Sequence, residues 1–437
     1  MTSYVVNSKK EQQHMLEKLG LNSIEKLFEH IPSDARLQRE LNIDKGLTEF
    51  EVKAKMEALA NENHVFKTIF RGAGSYRHYI PTIVNHLASR SEFVTSYTPY
   101  QAEVSQGTLQ AIFEYQTMMA KLTGMDASNA SVYDGATAAA EAMMMAQERK
   151  KSTILVSETV NPSVRKVMET YAYGFEIDLI TVNQKDGLTN QEHLKELLND
   201  EIAGLYIEQV NFEGLLEDIQ SISEICHEQD VKVILGVNPI AAAILPSARE
   251  VGADIAVGDG QALGIPLQFG GPSFGFMATT SKYVRRLPGR IVGETTDKDG
   301  QRAYVLTLQA REQHIRREKA TSSICSNQSL MAVRSTIYLA TVGPDGLRDI
   351  ANRCVSNAHY LANELSNLDG IELKHNQEFA YEFVTKVPSA DKLLEKLQEN
   401  DILGGYPLND QEILWCATEV NTKSEIDQVV ELVKEVL

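Results

Sequence analysis

Short apolar strand patterns and amphipathic helix patterns alternate from residue 153 to residue 257, and this alternation decides the fold class. Strands are expected at 153–157, 176–182, 202–209, 231–237 and 254–257, with helices at 161–173, 190–198 and 221–229 among them. Strands that take turns with helices make a mainly parallel sheet covered on both faces. The chain is therefore α/β, and a segment at 274–278 is expected to add an antiparallel edge to the sheet.

The flanks read differently. Residues 1–65 carry Leu, Glu and Lys at helical spacing and are expected to form an N-terminal helical arm. Its helices fall at 22–30 and 47–60, capped at Asn22 or Ser23 and at Thr48, with Pro32 ending the first. The large domain is expected at 66–330. It includes a helix at 106–123 closed by Gly124, an Ala- and Met-rich helix at 136–150 and a helix at 309–323. A small α+β domain is expected at 331–437. It would hold helices at 330–342 and 347–368, separated by Gly343-Pro344, strands near 371–373, 379–385 and 413–418, and helices starting at 389 and 424.

Composition narrows the function classes. A net charge of −18 over 437 residues disfavours nucleic acid and anionic membranes, because neutralising phosphates takes clustered cations. There is no apolar run long enough to span a bilayer, and the opening residues lack a signal-peptide pattern, so a cytoplasmic protein is expected. Cys226, Cys325, Cys354 and Cys416 are far apart and form no Cys-x-x-Cys, which points to reduced, mostly buried thiols. No His-x-x-x-His or contiguous His/Cys cluster occurs, so no metal is expected.

Four stretches concentrate chemistry. Residues 97–107 pack two tyrosines, a proline and several hydrogen-bonding side chains ahead of a helix. Such a loop either lines a site or packs its aromatics on the surface. At 133–141 small residues open a helix whose N-terminus could hold a phosphate, but Asp134 is placed to cap that helix and to repel an anion. Residues 258–264 match a dinucleotide fingerprint poorly: the third glycine is displaced and Pro266 stands where a helix should run. Residues 311–326 are dense in Arg and other polar groups. They suit carboxylate binding, or simply a helix with a Glu312–Arg316 charge pair.

No lysine occurs between Lys232 and Lys282. In that gap a short strand runs into a Gly-rich turn, which is where many pyridoxal-phosphate enzymes place the lysine that binds their cofactor. A Schiff base needs a primary amine, and this stretch supplies none.

The strings Ser96 to Gln110, Tyr133 to Ala138 and Arg311 to Cys325 resemble glycine decarboxylase, the P-protein of the glycine cleavage system. In length and ending the chain is similar to the first of the two subunits into which some P-proteins are split. The resemblance covers essentially the whole chain. It implies an aspartate-aminotransferase-like fold, that of fold type I pyridoxal-phosphate enzymes. Aligning Ile265-Pro266 and the glycines at 270–271 with the second subunit puts Gln261 at the Schiff-base lysine and Gly260 at the histidine before it. The strand at 231–240 also lacks the acid that such enzymes set against the pyridine nitrogen.

The resemblance thus implies a subunit with neither cofactor nor catalytic residue of its own. Pyridoxal phosphate would sit on the partner, subunit 2, in a heterodimer or a dimer of heterodimers. Glycine would be decarboxylated there, and its aminomethyl group would pass to the lipoamide of the H-protein. Tyr97, Thr98, Tyr100 and Gln101 are expected to reach into the partner's pocket. Arg316, Arg317 and Lys319 are weaker candidates, for docking the lipoyl arm. Two alternatives stand beside this: a structural or regulatory pseudoenzyme, and a self-sufficient pyridoxal-phosphate enzyme using Lys232 or Lys282.

Overall fold

The computed structural model describes residues 7–437 except 269, 321 and 325, so Cys325 and part of the Gly-rich turn lie outside the described residues. Residues 1–65 and 66–437 form two units. In the first, helices Lys9–Lys18 and Glu49–Asn61 each open with a capping box, Ser8 with Glu11 and Thr48 with Glu51. The helix expected at 22–30 is instead a single 3-10 segment, Ile24–Phe28, with no side-chain cap from Ser23. So short a segment has no buried residue to repay helix nucleation.

The second unit is built on a seven-stranded sheet. Its strands are β1 (Ala127–Ser128), β2 (Thr153–Ser157), β3 (Leu179–Val182), β4 (Ile202–Glu208), β5 (Lys232–Gly236), β6 (Ile255–Asp259) and β7 (Gly275–Thr279). Their spatial order is β1-β7-β6-β5-β4-β2-β3. The five from β6 to β3 are parallel, and β7 runs antiparallel to β6 and β1. The expected antiparallel strand is therefore present but is not the edge: the two-residue β1, too short to show a pattern, lies outside it.

Side chains along each strand divide between two cores. Ile154, Val156 and Ile234 join one cluster with the Ala-rich helix α2 (Gly135–Ala146) and helix α3 (Pro162–Phe175). Leu155, Val233 and Leu235 join another with α4 (Ile219–His227) and α5 (Ser329–Ser366). A period of two in the strands and helices on both faces is what the alternation predicts. Helix α2 stops at Ala146, short of the expected 150. Helix α5 spans both predicted helices, and its one non-helical residue is Gly343, at φ 65°, just before Pro344.

The helix expected at 309–323 is broken. It consists of the 3-10 turn Gln309–Arg311, the single turn Gln313–Arg316 and the 3-10 turn Arg317–Lys319, with Arg317 at φ 54°. Arg311 explains part of this: it donates to the carbonyls of Leu308 and Gly289, drawing the segment away from helical geometry. The Glu312–Arg316 pair does not form. The Glu312 carboxylate lies 3.5 Å from His314, and Arg316 donates to the Ala310 carbonyl.

Gly289 precedes a hairpin that the sequence pattern does not reveal, β8 (Ile291–Thr296) with β9 (Arg302–Thr307). Two glutamines of the helix Gln106–Thr123 clamp it. Gln116 pairs with the N–H and the carbonyl of Val292, and Gln106 does the same with Tyr304. The C-terminal region carries a four-stranded antiparallel sheet, β10 (Glu372–Leu373), β11 (Glu382–Lys386), β12 (Tyr406–Asn409) and β13 (Glu412–Cys416), in the order β10-β11-β13-β12. Among the described residues no helix is long and apolar enough to cross a membrane.

Candidate functional site

A cleft of about 320 Å3 opens at the carboxyl ends of β4, β5 and β6, where ligands sit in open α/β sheets. The loop at residues 73–76 and Glu382 of β11 close its far side. Gln261 stands here, and it is engaged with the backbone. Its Oε1 accepts from the N–H of Tyr76 at 2.8 Å, while its Nε2 donates to the carbonyls of Tyr76 and Ile265, both at 2.9 Å. Gly260 has no room for a side chain: a Cβ there would lie 1.9 Å from the Phe274 ring. A histidine at 260 and an amine at 261 are excluded together, one by the phenyl ring and the other by the residue type.

The N-terminus of α2 is occupied by carboxylates. Asp134 caps it, with Oδ1 accepting from the N–H of Thr137 at 2.7 Å. Asp259, at the end of β6, accepts from the N–H of Gly135 at 2.9 Å. Only a glycine allows this approach, since a Cβ at Gly135 would lie 2.7 Å from both the backbone nitrogen and the Cβ of Asp259. Asp259 also accepts from the N–H of Gln261 and from the Ser273 hydroxyl, and burial pushes its carboxyl up from the usual aspartate range. Two of the N–H groups that would hold a phosphate are thus taken by acidic side chains of the chain itself.

Two further carboxyls line the cleft. Glu208, at the end of β4, accepts from the N–H of Asn161 and the hydroxyl of Tyr206. Glu382 accepts from the N–H of Ala73 and the hydroxyl of Tyr76, both at 2.7 Å. Burial raises each to about 7. Asn238 follows β5, on the stretch that lacks an acid. Its amide is turned to the Tyr381 hydroxyl and to the N–H groups of Ile240 and Ala241. Among the described lining residues there are four carboxyl side chains and neither lysine nor arginine. This lining does not fit a phosphate-bearing cofactor.

The alternative lysines are no nearer the chemistry. Lys232 is the first residue of β5, so the strand separates it from the cleft by ~13 Å. Its ammonium is bonded to Glu148 at 2.6 Å. Lys282 lies over the ring of Tyr283, past β7.

The expected partner-facing residues lie elsewhere. Tyr97 is 80% exposed and Tyr100 57%, Gln101 is exposed and Thr98 half-buried, and none of the four lines the cleft. Tyr100 instead forms a second hollow with Glu312, Gln313, His314 and Ile324. The strings at 96–110 and 311–325, distant in sequence, therefore meet on one surface. Arg316, Arg317 and Lys319 are exposed but do not line that hollow. Beneath Tyr100 lies Arg290, buried at the foot of the hairpin, whose guanidinium donates to the phenol oxygen.

Sequence spacing also missed a cluster of His78, Cys354 and Glu419. His78 Nδ1 is 2.7 Å from Glu419 Oε2, and the Cys354 thiol donates to the same oxygen at 3.3 Å. The three come from separate elements, so no local motif could announce them. Hydrogen bonds already engage the carboxylate. Cys226, Cys354 and Cys416 are free and buried.

Comparison with known proteins identifies the family and the fold. The family model described as the glycine cleavage system P-protein matches residues 2–433. The probable glycine dehydrogenase (decarboxylating) subunit 1 of Carboxydothermus hydrogenoformans is 48% identical, with 98% of each chain covered. A crystal structure of glycine decarboxylase (P-protein) in inhibitor-bound form superposes with a TM-score of 0.92 at 39% identity, covering all of both chains. An alanine–glyoxylate aminotransferase from Nostoc shares the fold, with a TM-score of 0.60 at 16% identity over 85% of this chain and 95% of that one.

Proposed function

The chain belongs to the glycine cleavage system P-protein family, and from that premise we propose that it is the subunit without cofactor in a two-chain glycine dehydrogenase (decarboxylating). Pyridoxal phosphate belongs to subunit 2, where it supplies the electron sink for loss of CO2 from glycine. The aminomethyl group then goes to the lipoyl group of the H-protein, and the complex is cytoplasmic. The observation that carries this reading is the state of this chain's own cleft. Gln261 is locked to the backbone of Tyr76, and Asp134 and Asp259 occupy the helix N-terminus.

This chain works through a second surface. Tyr97, Thr98, Tyr100 and Gln101 enter the partner's pocket, where aromatic and hydroxyl side chains orient glycine and keep water from the reacting carbon. Their support is convergence, because the loop carrying them packs beside the second family-like string at 312–314. Exposed Arg316, Arg317 and Lys319 put cationic groups next to that hollow on a chain of net charge −18, and they help to dock the lipoyl arm.

The test is reconstitution. This chain alone, treated with pyridoxal phosphate and borohydride, is expected to show no stoichiometric adduct at a single lysine and no glycine–bicarbonate exchange. Exchange appears on adding subunit 2 and lipoylated H-protein. Tyr100→Ala is expected to lower turnover of that complex by about tenfold or more. Unchanged turnover in all four loop variants would leave the chain a structural role only.

A further inference from the structure

Arg290 is 5% exposed, yet its charged end serves an exposed side chain. Its Nη2 donates to the Tyr100 hydroxyl at 2.7 Å, and its Cζ lies 5.0 Å from the centroid of the same ring. One guanidinium thus both bonds the oxygen and faces the π-system, which fixes the phenol in two ways. Arg290 is itself held firmly. Its carbonyl accepts from the N–H of Ala130 at 2.8 Å, and two residues on Val292 is clamped to the helix behind by Gln116.

The loop bearing Tyr100 has little regular structure, running between the short helix Ser91–Val94 and the 3-10 turn Ala102–Val104. A solvent-exposed tyrosine on such a loop would sample several rotamers, and a side chain that must enter a neighbour's pocket loses that freedom on docking. We infer that Arg290 is a positioning residue, which holds the Tyr100 ring in its docking orientation before the partner arrives. The inference rests on the proposed role of the 97–101 loop in the partner's pocket. It adds a residue outside that loop and outside the 311–325 string. A lysine keeps the charge and a donor but loses the planar group that packs against the ring.

The experiment uses the complex reconstituted with subunit 2 and lipoylated H-protein, and reads kcat and KM for glycine. The variants are R290K, Y100F and the pair together, with Y100A as reference. R290K and Y100F are each expected to lower kcat by about tenfold while KM for glycine stays within about twofold. The double variant is expected to be no slower than the slower single, because both changes break one contact. The spectrum of the partner's cofactor on adding glycine shifts alike in both singles. Should R290K melt early, Y100F carries the test, since it removes the same hydrogen bond from the exposed side. Wild-type kcat in R290K and Y100F alongside an impaired Y100A would overturn the inference and leave the proposed function standing. So would single losses that multiply in the double variant. A fully active Y100A would remove the loop's role, and this inference with it.

Discussion

A glutamine in place of an amine changes what position 261 can do and what it contributes to the fold. Its amide offers an acceptor and two donors, and all three are used against the backbone of Tyr76 and Ile265. A lysine offers donors only, so Gln261→Lys would leave the Tyr76 N–H without its acceptor in a partly buried setting. The substitution is expected to destabilise the chain by about 1 kcal/mol, the low end of the cost of an unsatisfied donor, because the site is only partly buried. It is also expected not to restore cofactor binding, because Asp134 and Asp259 still fill the helix N-terminus and Phe274 still blocks position 260. Thermal melting and borohydride trapping with pyridoxal phosphate check both halves; a trapped adduct on the new lysine would show that the amine alone was missing. The missing amine and the Asp134 cap could be read in the sequence because each is a single residue in a recognisable local setting. Asp259, Glu208 and Glu382 could not. Their inward turn depends on which strand ends meet, and no spacing rule encodes that.

Elements were readable where their own residues decide them. The helix Gln106–Thr123 carries an apolar stripe, and Gly124 ends it in the left-handed conformation at φ 71°. Both features are local, and predicted and observed boundaries coincide. The segment at 309–323 has good helix formers but no buried face, so contacts from Arg311 to other carbonyls outweigh propensity. The hairpin β8–β9 was hidden for a related reason: its outer half is polar and exposed, and much of its order comes from outside. Gln116 supplies that order with two hydrogen bonds to Val292, of 3.0 and 2.9 Å, in a buried setting. Gln116→Ala would orphan both backbone groups. It is expected to cost about 2 kcal/mol and to speed amide exchange in β8 and β9 well before it affects the main sheet. Uniform exchange across both sheets would mean that the clamp is not what orders the hairpin.

At the scale of the whole second unit, the cleft's carboxyls tie separate regions together. Glu382 belongs to the small antiparallel sheet but accepts from Ala73 and Tyr76, and Tyr76 in turn pairs with Gln261 beyond β6. Glu208 closes the end of β4 against Asn161. Burial raises both carboxyls to about 7, so the folded chain keeps protons that an unfolded chain sheds near pH 4.5. The stability associated with them is fully present below that pH, declines as pH rises and is lost above about 7. For each group the span corresponds to about 3 kcal/mol if the two titrate independently. Glu217 is also raised by burial, while Glu213 is held below its usual range, so the total pH profile mixes opposing signs. A difference measurement isolates one group. Glu208→Gln keeps an acceptor for the Asn161 N–H and offers a donor to Tyr206, and it never ionises. The melting temperature of the wild-type chain, relative to that of the variant, is expected to be highest at pH 5. At pH 8 the variant is expected to melt roughly 2 °C or more above the wild type. Parallel pH profiles for the two proteins would mean that Glu208 is ionised in the folded cleft, and the acid-lined cavity would then hold a negative charge at neutral pH that its neighbours must balance.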